Sequence, residues 1–341
     1  MTRIPPRYTA MALTRAGDAT LHALERDMPA PAAGQLLLRV QVCGVCRTDL
    51  HLVDGELAPA VLPRVPGHEV VGTVVAQGAG CRRFALGARV GVPWLHGTCG
   101  SCAYCANQRE NLCPSASFTG LSVDGGYAEF MLASEAFCFA LPERYSDEQA
   151  APLLCAGLIG WRALGLAGDA RTLGLYGFGA AGHLIAQVAL QQGRRVFAFT
   201  RPGDRAAQDL ARSLGVQWAG GSDEAPPSPT DGALLFAPVG ALVPTALQHS
   251  QPGSTIVCAG IHMSDIPRFA YRLLWGERSV RSVANLTRRD GDEFFAWAAA
   301  HELHSTTEVF ALRQANAALA RLRDGRITGA AVLRCADGAG S

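Results

Sequence analysis

Cys99, Cys102, Cys105 and Cys113 fall within one short stretch, Cys-x2-Cys-x2-Cys-x7-Cys, and no other feature of the chain narrows its folding options so far. Four thiolates on a loop can surround one zinc ion tetrahedrally, at roughly 2.3 Å each, with little loss of chain entropy. Cysteines at every third position do not bridge to one another within ordinary disulfide geometry, and a secreted disulfide scaffold would be much smaller. The quartet therefore predicts a closed Zn(Cys)4 site on a small lobe spanning about residues 95–115.

A chain of 341 residues is long enough for two domains, each with its own core. Its 30 Lys and Arg against 29 Asp and Glu leave a formal charge of +1, so no basic footprint for nucleic acid and no acidic tail exists. Nucleic acid is excluded as a partner on that ground. Eleven cysteines, four of them in the quartet, leave seven; an odd total without an apolar leader at residues 1–6 predicts a reducing, cytoplasmic setting. The longest apolar run, 150–161, ends at Arg162 and falls short of the roughly 20 residues a membrane span needs, so no membrane is expected.

Residues 36–42, 70–76 and 88–92 read as short strands punctuated by glycines, a texture that suits a small β-barrel with polar, sulfur-rich loops. From about residue 151 the pattern alternates: strands at 173–176, 195–199, 232–236 and 255–259, helices at 180–192 and 205–214. That alternation predicts a parallel α/β domain, with the proline-bearing stretch 221–231 as a loop inside it. Two helices, 293–301 and 314–324, precede a last strand, 329–333, whose apolar character returns it to the first domain. The polar tail beyond Cys335 is expected to fray.

Gly177-Phe178-Gly179-Ala180-Ala181-Gly182 follows a strand and opens a helix, the context in which a G-x-G-x-x-G run signals a dinucleotide site. Gly177 permits the tight turn, Gly179 lets a pyrophosphate approach the backbone, Gly182 lets helix pack on strand, and the helix N-terminus receives the phosphate charge. The second strand of such a unit ends here in Thr200-Arg201, with Arg205 one turn on, and no acidic residue lies between the glycines and Asp204. Cations without a carboxylate suit a 2′-phosphate, so NADP is favoured over NAD, with Asp204 on the ribose as the alternative.

Cys43-Gly44-Val45-Cys46-Arg47-Thr48-Asp49-Leu50-His51 gathers thiol, cation, hydroxyl, carboxylate and imidazole in a turn-rich stretch, and His68-Glu69 follows a proline-marked turn. A catalytic zinc takes three protein ligands and keeps one position open. Cys46 and His68 fill two places, Cys43 being the rival of Cys46. Cys155, in an apolar segment, is the best candidate for the third, although a buried free thiol is the commoner fate of such a residue.

In order along the chain, GVCRTDLH, GHE, the cysteine lobe, PLLCAG and GFGAAG make it resemble the zinc-dependent alcohol dehydrogenases of the medium-chain dehydrogenase/reductase superfamily, over essentially its whole length. The resemblance implies an α/β protein: a GroES-like β-barrel catalytic domain at 1–153 and 286–341, and a Rossmann doubly wound parallel sheet at 154–285. It implies two zinc ions per chain, a catalytic one on Cys46, His68 and Cys155 and a structural one on the quartet, with Glu69 either supporting the former from outside the ligand set or serving there as a transient fourth ligand. Asp49 would orient His68 through its second ring nitrogen, and Arg47 would meet the cofactor pyrophosphate. Thr48 and His51 would relay the proton while hydride passes between a primary alcohol or aldehyde and the nicotinamide, and Trp94 would wall the substrate pocket. Relatives assemble as dimers or tetramers, and the short, insertion-free chain resembles the tetrameric forms. An NADP-dependent aldehyde reductase of cinnamyl type is the nearest alternative; a non-catalytic zinc-binding module would leave Cys46, Thr48, His51 and His68 unexplained.

Overall fold

In the computed structural model, which describes residues 4–335, the strand Gln35–Val45 organises the first of two units, Met1–Cys155 with Thr287–Ser341. Its run of Leu and Val is buried on both faces, as a central strand requires. Val70–Gln77, Phe130–Ser134 and Ala330–Arg334 all pair with it antiparallel. Arg89–Val92 and then Phe139–Ala140 extend the sheet on one side, and Thr307–Ala311 closes the other. The last strand thus returns to the first domain, with Val332 opposite Gly44. Leu36, Leu38, Val40, Val70, Val90 and Leu333 belong to one buried core. The expected fraying beyond Cys335 lies outside the described residues.

The chain crosses between units at 155/156 and again at 286/287, against expected crossings at 153/154 and 285/286. Cys155 therefore stays with Cys46 and His68. Three local features differ from the sequence reading. Residues read as turn-rich after Cys46 form the helix Arg47–Val53. The helix expected from 293 spans Arg288–Ala300, because Thr287 and Asp290 cap one another's backbone N–H groups in front of the apolar periodicity. Arg7–Ala12 and His22–Asp27 form an unforeseen antiparallel pair.

The second unit, Ala156–Leu286, holds six parallel strands. In spatial order they are Trp218–Gly221, Arg195–Thr200, Thr172–Tyr176, Thr230–Leu235, Ser250–Cys258 and Ser279–Ser282. Numbered along the chain this is 3-2-1-4-5-6, the order of the doubly wound dinucleotide fold. Leu173, Leu175, Val196 and Phe197 are fully buried without alternation, since a parallel sheet is covered on both faces. The strand Trp218–Gly221 escaped the sequence reading because two of its four residues are glycines. Among the described residues no helix is long and apolar enough to cross a membrane.

Candidate functional site

The four-cysteine stretch is the loop of a short antiparallel hairpin, Leu95–Gly97 with Ser117–Phe118. Sulfur–sulfur distances are 3.5 Å for Cys99–Cys113, 3.6 Å for Cys102–Cys105 and 4.0 Å for Cys99–Cys105. A tetrahedron of zinc–sulfur bonds of roughly 2.3 Å has edges of roughly 3.8 Å, so the quartet fits one zinc ion with no position open. The backbone N–H groups of Ser101 and Cys102 draw the Cys99 thiol down to about 6, which favours the ligating thiolate. Glu110, buried in the same lobe, accepts hydrogen bonds from the Arg288 backbone N–H (3.0 Å) and guanidinium (3.2 Å).

A second cluster gathers Cys46, His68, Glu69 and Cys155, whose ligand atoms all lie within 4.8 Å of one another. Cys46 Sγ stands 3.1 Å from His68 Nε2. Cys43 is absent from the group: it lies inside the strand Gln35–Val45, fully buried, and burial pushes its thiol well up. The Glu69 carboxylate rests against Gly44, where any side chain would collide with it. The Cys155 hydrogen bond, foremost, holds the Cys46 thiol well below its ordinary value, and Cys155 is raised in return. Burial, followed by Cys46, lifts the Glu69 carboxyl well up; burial opposes protonation of His68, yet Cys46 and Asp49 together raise it. Such a cluster shares protons that a cation displaces, and sulfur, nitrogen and sulfur with a carboxylate beside them is a donor set suited to zinc.

Asp49 holds this arrangement by the backbone. One carboxylate oxygen accepts the Cys46 N–H at 3.0 Å and the other the Gly67 N–H at 3.1 Å. Its expected grip on the imidazole is looser, a 3.5 Å contact with His68 Nδ1 that falls short of a hydrogen bond. Cys46 caps the helix Arg47–Val53, its sulfur accepting the Thr48 N–H at 3.3 Å. Thr48 and His51, three residues apart, share a face of that helix. His51 Nδ1 meets the Glu56 carboxylate, a partner the sequence reading did not single out. Arg47 is exposed on the first turn. Trp94 meets His68 edge-on, ring centroids 4.9 Å apart, and stacks on Phe118 at 5.1 Å.

In the second unit the glycine run joins the strand Thr172–Tyr176 to the helix Ala180–Gln191. Gly177 has φ +94°, and a side chain there would strike the Ala237 backbone; one at Gly182 would strike the Gly177 carbonyl. Gly179, the N-cap, faces open space and lends no side-chain bond to the helix N–H groups. At the end of the next strand Arg201 and Arg205 are exposed. Thr200 is not: its hydroxyl has the Arg201 and Gly220 carbonyls as acceptors for its one proton and accepts from Gln208, because Gln208 and the neighbouring strand enclose it. Asp204 caps the helix Arg205–Ser213 through the Ala207 N–H and pairs with Arg201 at 3.6 Å. Asp223 and Glu224 follow Gly221, the register partner of Thr200. These carboxylates come from beyond the third strand, so a reading confined to the end of the second did not reach them.

Comparison with known proteins agrees with this fold. Residues 32–143 match the alcohol dehydrogenase GroES-like domain. The chain is 47% identical over 337 residues to the Mycobacterium tuberculosis protein named "Probable alcohol dehydrogenase AdhA", covering 95% of this chain and 96% of that one. It is 33% identical over 326 residues to an alcohol dehydrogenase of Geobacillus stearothermophilus, covering 92% and 95%. The solved cinnamyl alcohol dehydrogenase of Sorghum bicolor superposes with a TM-score of 0.87 at 26% identity, over 96% of this chain and 97% of that one.

Proposed function

The chain belongs to the zinc-type medium-chain alcohol dehydrogenases, and on that premise we propose that it interconverts primary alcohols and aldehydes with NADP, using a catalytic zinc on Cys46, His68 and Cys155. The observation that carries the reading is the convergence of those three donors and Glu69 within 4.8 Å, inside one unit of the fold. A zinc ion held there supplies the Lewis acidity that loosens an alcohol proton or polarises a carbonyl, and the nicotinamide supplies or accepts the hydride. The protein does the rest. Cys46, His68 and Cys155 would hold the metal. Glu69, pressed against Gly44, stands ready as a transient ligand. Thr48 would accept the substrate hydroxyl proton while releasing its own onward, and His51, three residues on and beside Glu56, would pass a proton to water. Trp94 confines the substrate carbon by shape, which favours primary over bulky secondary alcohols.

The open N-terminus at Gly179 suits a pyrophosphate; Arg47, exposed on its own helix, is proposed as a cofactor contact. Arg201 and Arg205 support NADP. NAD is the second reading, favoured by Asp223 and Glu224 beside the Thr200 register partner, since a carboxylate there repels a 2′-phosphate and can meet ribose hydroxyls. The quartet is proposed as the structural zinc site. The free cysteines suit the proposed cytoplasmic setting. Homo-oligomerisation, as dimer or tetramer, is supported by exposed Tyr271 and Trp275, rings 6.1 Å apart, close before the edge strand Ser279–Ser282; light scattering that returned a monomer would exclude it.

A screen of alcohols and aldehydes with each cofactor, on protein of measured zinc content, tests the reading. It predicts turnover of primary alcohols with NADP preferred. A strong preference for NAD moves the cofactor assignment to Asp223, and no hydride transfer with either cofactor overturns the function.

A further inference from the structure

The cysteine lobe and the aromatic wall share one hairpin. Trp94 directly precedes the strand Leu95–Gly97, Phe118 ends the strand Ser117–Phe118, and all four cysteines lie in the loop between. Leu95 is the register partner of Phe118, and the Thr119 N–H donates to the Trp94 carbonyl at 2.8 Å. The two rings stack 20° from parallel with centroids 5.1 Å apart, while Trp94 also makes a T-shaped contact with His68 at 4.9 Å. The Phe118 N–H is held in turn by Ser122 Oγ at 3.0 Å. Trp94 thus touches both a proposed zinc ligand and a ring whose place the hairpin decides.

That hairpin cannot hold itself. Its strands are three and two residues long, with a register shift between Leu95 and Gly97, far below the size at which an isolated pair is stable. The convergence of four sulfurs draws its loop together, and Glu110 ties the lobe to Arg288.

We propose that Phe118 is a positioning residue for Trp94, and that the four-cysteine lobe, by closing the hairpin that carries both rings, sets the shape of the substrate wall. The lobe then has a specificity role in addition to a structural one. The inference rests on Trp94 being the wall of the pocket, as proposed above. Loss of either Phe118 or the lobe zinc frees the indole from its plane, and the pocket discriminates less between slender and bulky aldehydes.

The test compares wild type, Trp94→Ala, Phe118→Ala, Phe118→Tyr and Cys99→Ser, each loaded with zinc and assayed for metal content and near-ultraviolet circular dichroism. Each is also assayed for kcat and KM with a straight-chain and a branched aldehyde. Phe118→Ala is expected to keep both zinc ions yet lose about tenfold in the ratio of the two kcat/KM values, an amount typical of one altered pocket contact. The change should lie mainly in KM and be accompanied by a weaker aromatic dichroism. Phe118→Tyr, which keeps the ring, restores both. Cys99→Ser, with one zinc per chain, shifts the ratio in the same direction. If that variant does not fold, the Phe118 pair decides alone. A ratio altered by Trp94→Ala but by neither Phe118→Ala nor loss of the lobe zinc overturns this inference and leaves the wall standing. A ratio unmoved by Trp94→Ala removes the wall and the inference with it.

Discussion

At Asp49 one buried carboxylate ties together two segments far apart in sequence. It accepts the N–H of Cys46 with one oxygen and that of Gly67, the residue before His68, with the other. An amide has only one acceptor oxygen, so Asp49→Asn leaves one of those buried N–H groups unpartnered and lets one ligand drift. Affinity for zinc at the Cys46 cluster should fall about 10- to 100-fold while the quartet keeps its metal. Competition with a graded chelator measures both; unchanged retention at both sites would show that Asp49 does not hold the ligands. Thr48 sits outside the ligand set, its backbone N–H bonded to the Cys46 sulfur. Thr48→Ala is therefore expected to retain zinc and bind cofactor while losing about 100-fold or more in kcat, the scale of a removed proton-transfer group, and Thr48→Ser to recover most of it. Near-normal turnover in the alanine variant would refute the relay.

Among elements, the glycine run separates structure from binding. Gly179→Ala meets open space, so thermal stability should stay within about 0.5 kcal/mol of wild type. Cofactor affinity should drop, because the added methyl group stands where the proposed pyrophosphate would approach. Gly177→Ala forces a side chain into positive φ and against Ala237, and should cost about 1–3 kcal/mol. Calorimetry with cofactor titration of both variants checks the contrast, which fails if the two behave alike. The lobe is fastened by Glu110, where burial would raise the carboxyl but the Arg288 backbone N–H and guanidinium outweigh it and hold it below its ordinary value. A depressed folded value contributes stability above the unfolded carboxylate range and loses it as pH falls through the folded value. Glu110→Gln should therefore cost about 1 kcal/mol near pH 7, and the gap to wild type should close once the pH has fallen below the ordinary carboxylate range. Melting curves across that range decide it; a gap that persists in acid would mean the charge is not what matters. Helices and parallel strands with strong apolar patterns were legible in the sequence. The helix Arg47–Val53 and the start of Arg288–Ala300 were not, because capping residues define them, and Trp218–Gly221 was hidden by its glycines.

Across the whole molecule, what the sequence makes visible depends on how far apart the cooperating residues lie. The quartet is local, and its spacing alone predicts four sulfurs at zinc-like separations. Cys46, His68 and Cys155 come together only when the central strand, the helix after it and the domain junction are in place, so spacing could name them only as candidates. The choice between Cys43 and Cys46 shows the limit. Both lie in one Cys-x-x-Cys run, and only the strand boundary puts Cys43 in the core and Cys46 at a helix cap. The same holds for Phe118, 24 residues after Trp94 in sequence and stacked on it in space. The central claim is that these scattered ligands hold a zinc ion that catalysis needs. Zinc per chain and nicotinamide-linked turnover of a primary alcohol, measured together on wild type and Cys46→Ala, test it most directly. The account predicts two zinc ions and turnover in the first, one zinc ion, folded protein and no turnover in the second; two zinc ions or undiminished turnover in Cys46→Ala would contradict it.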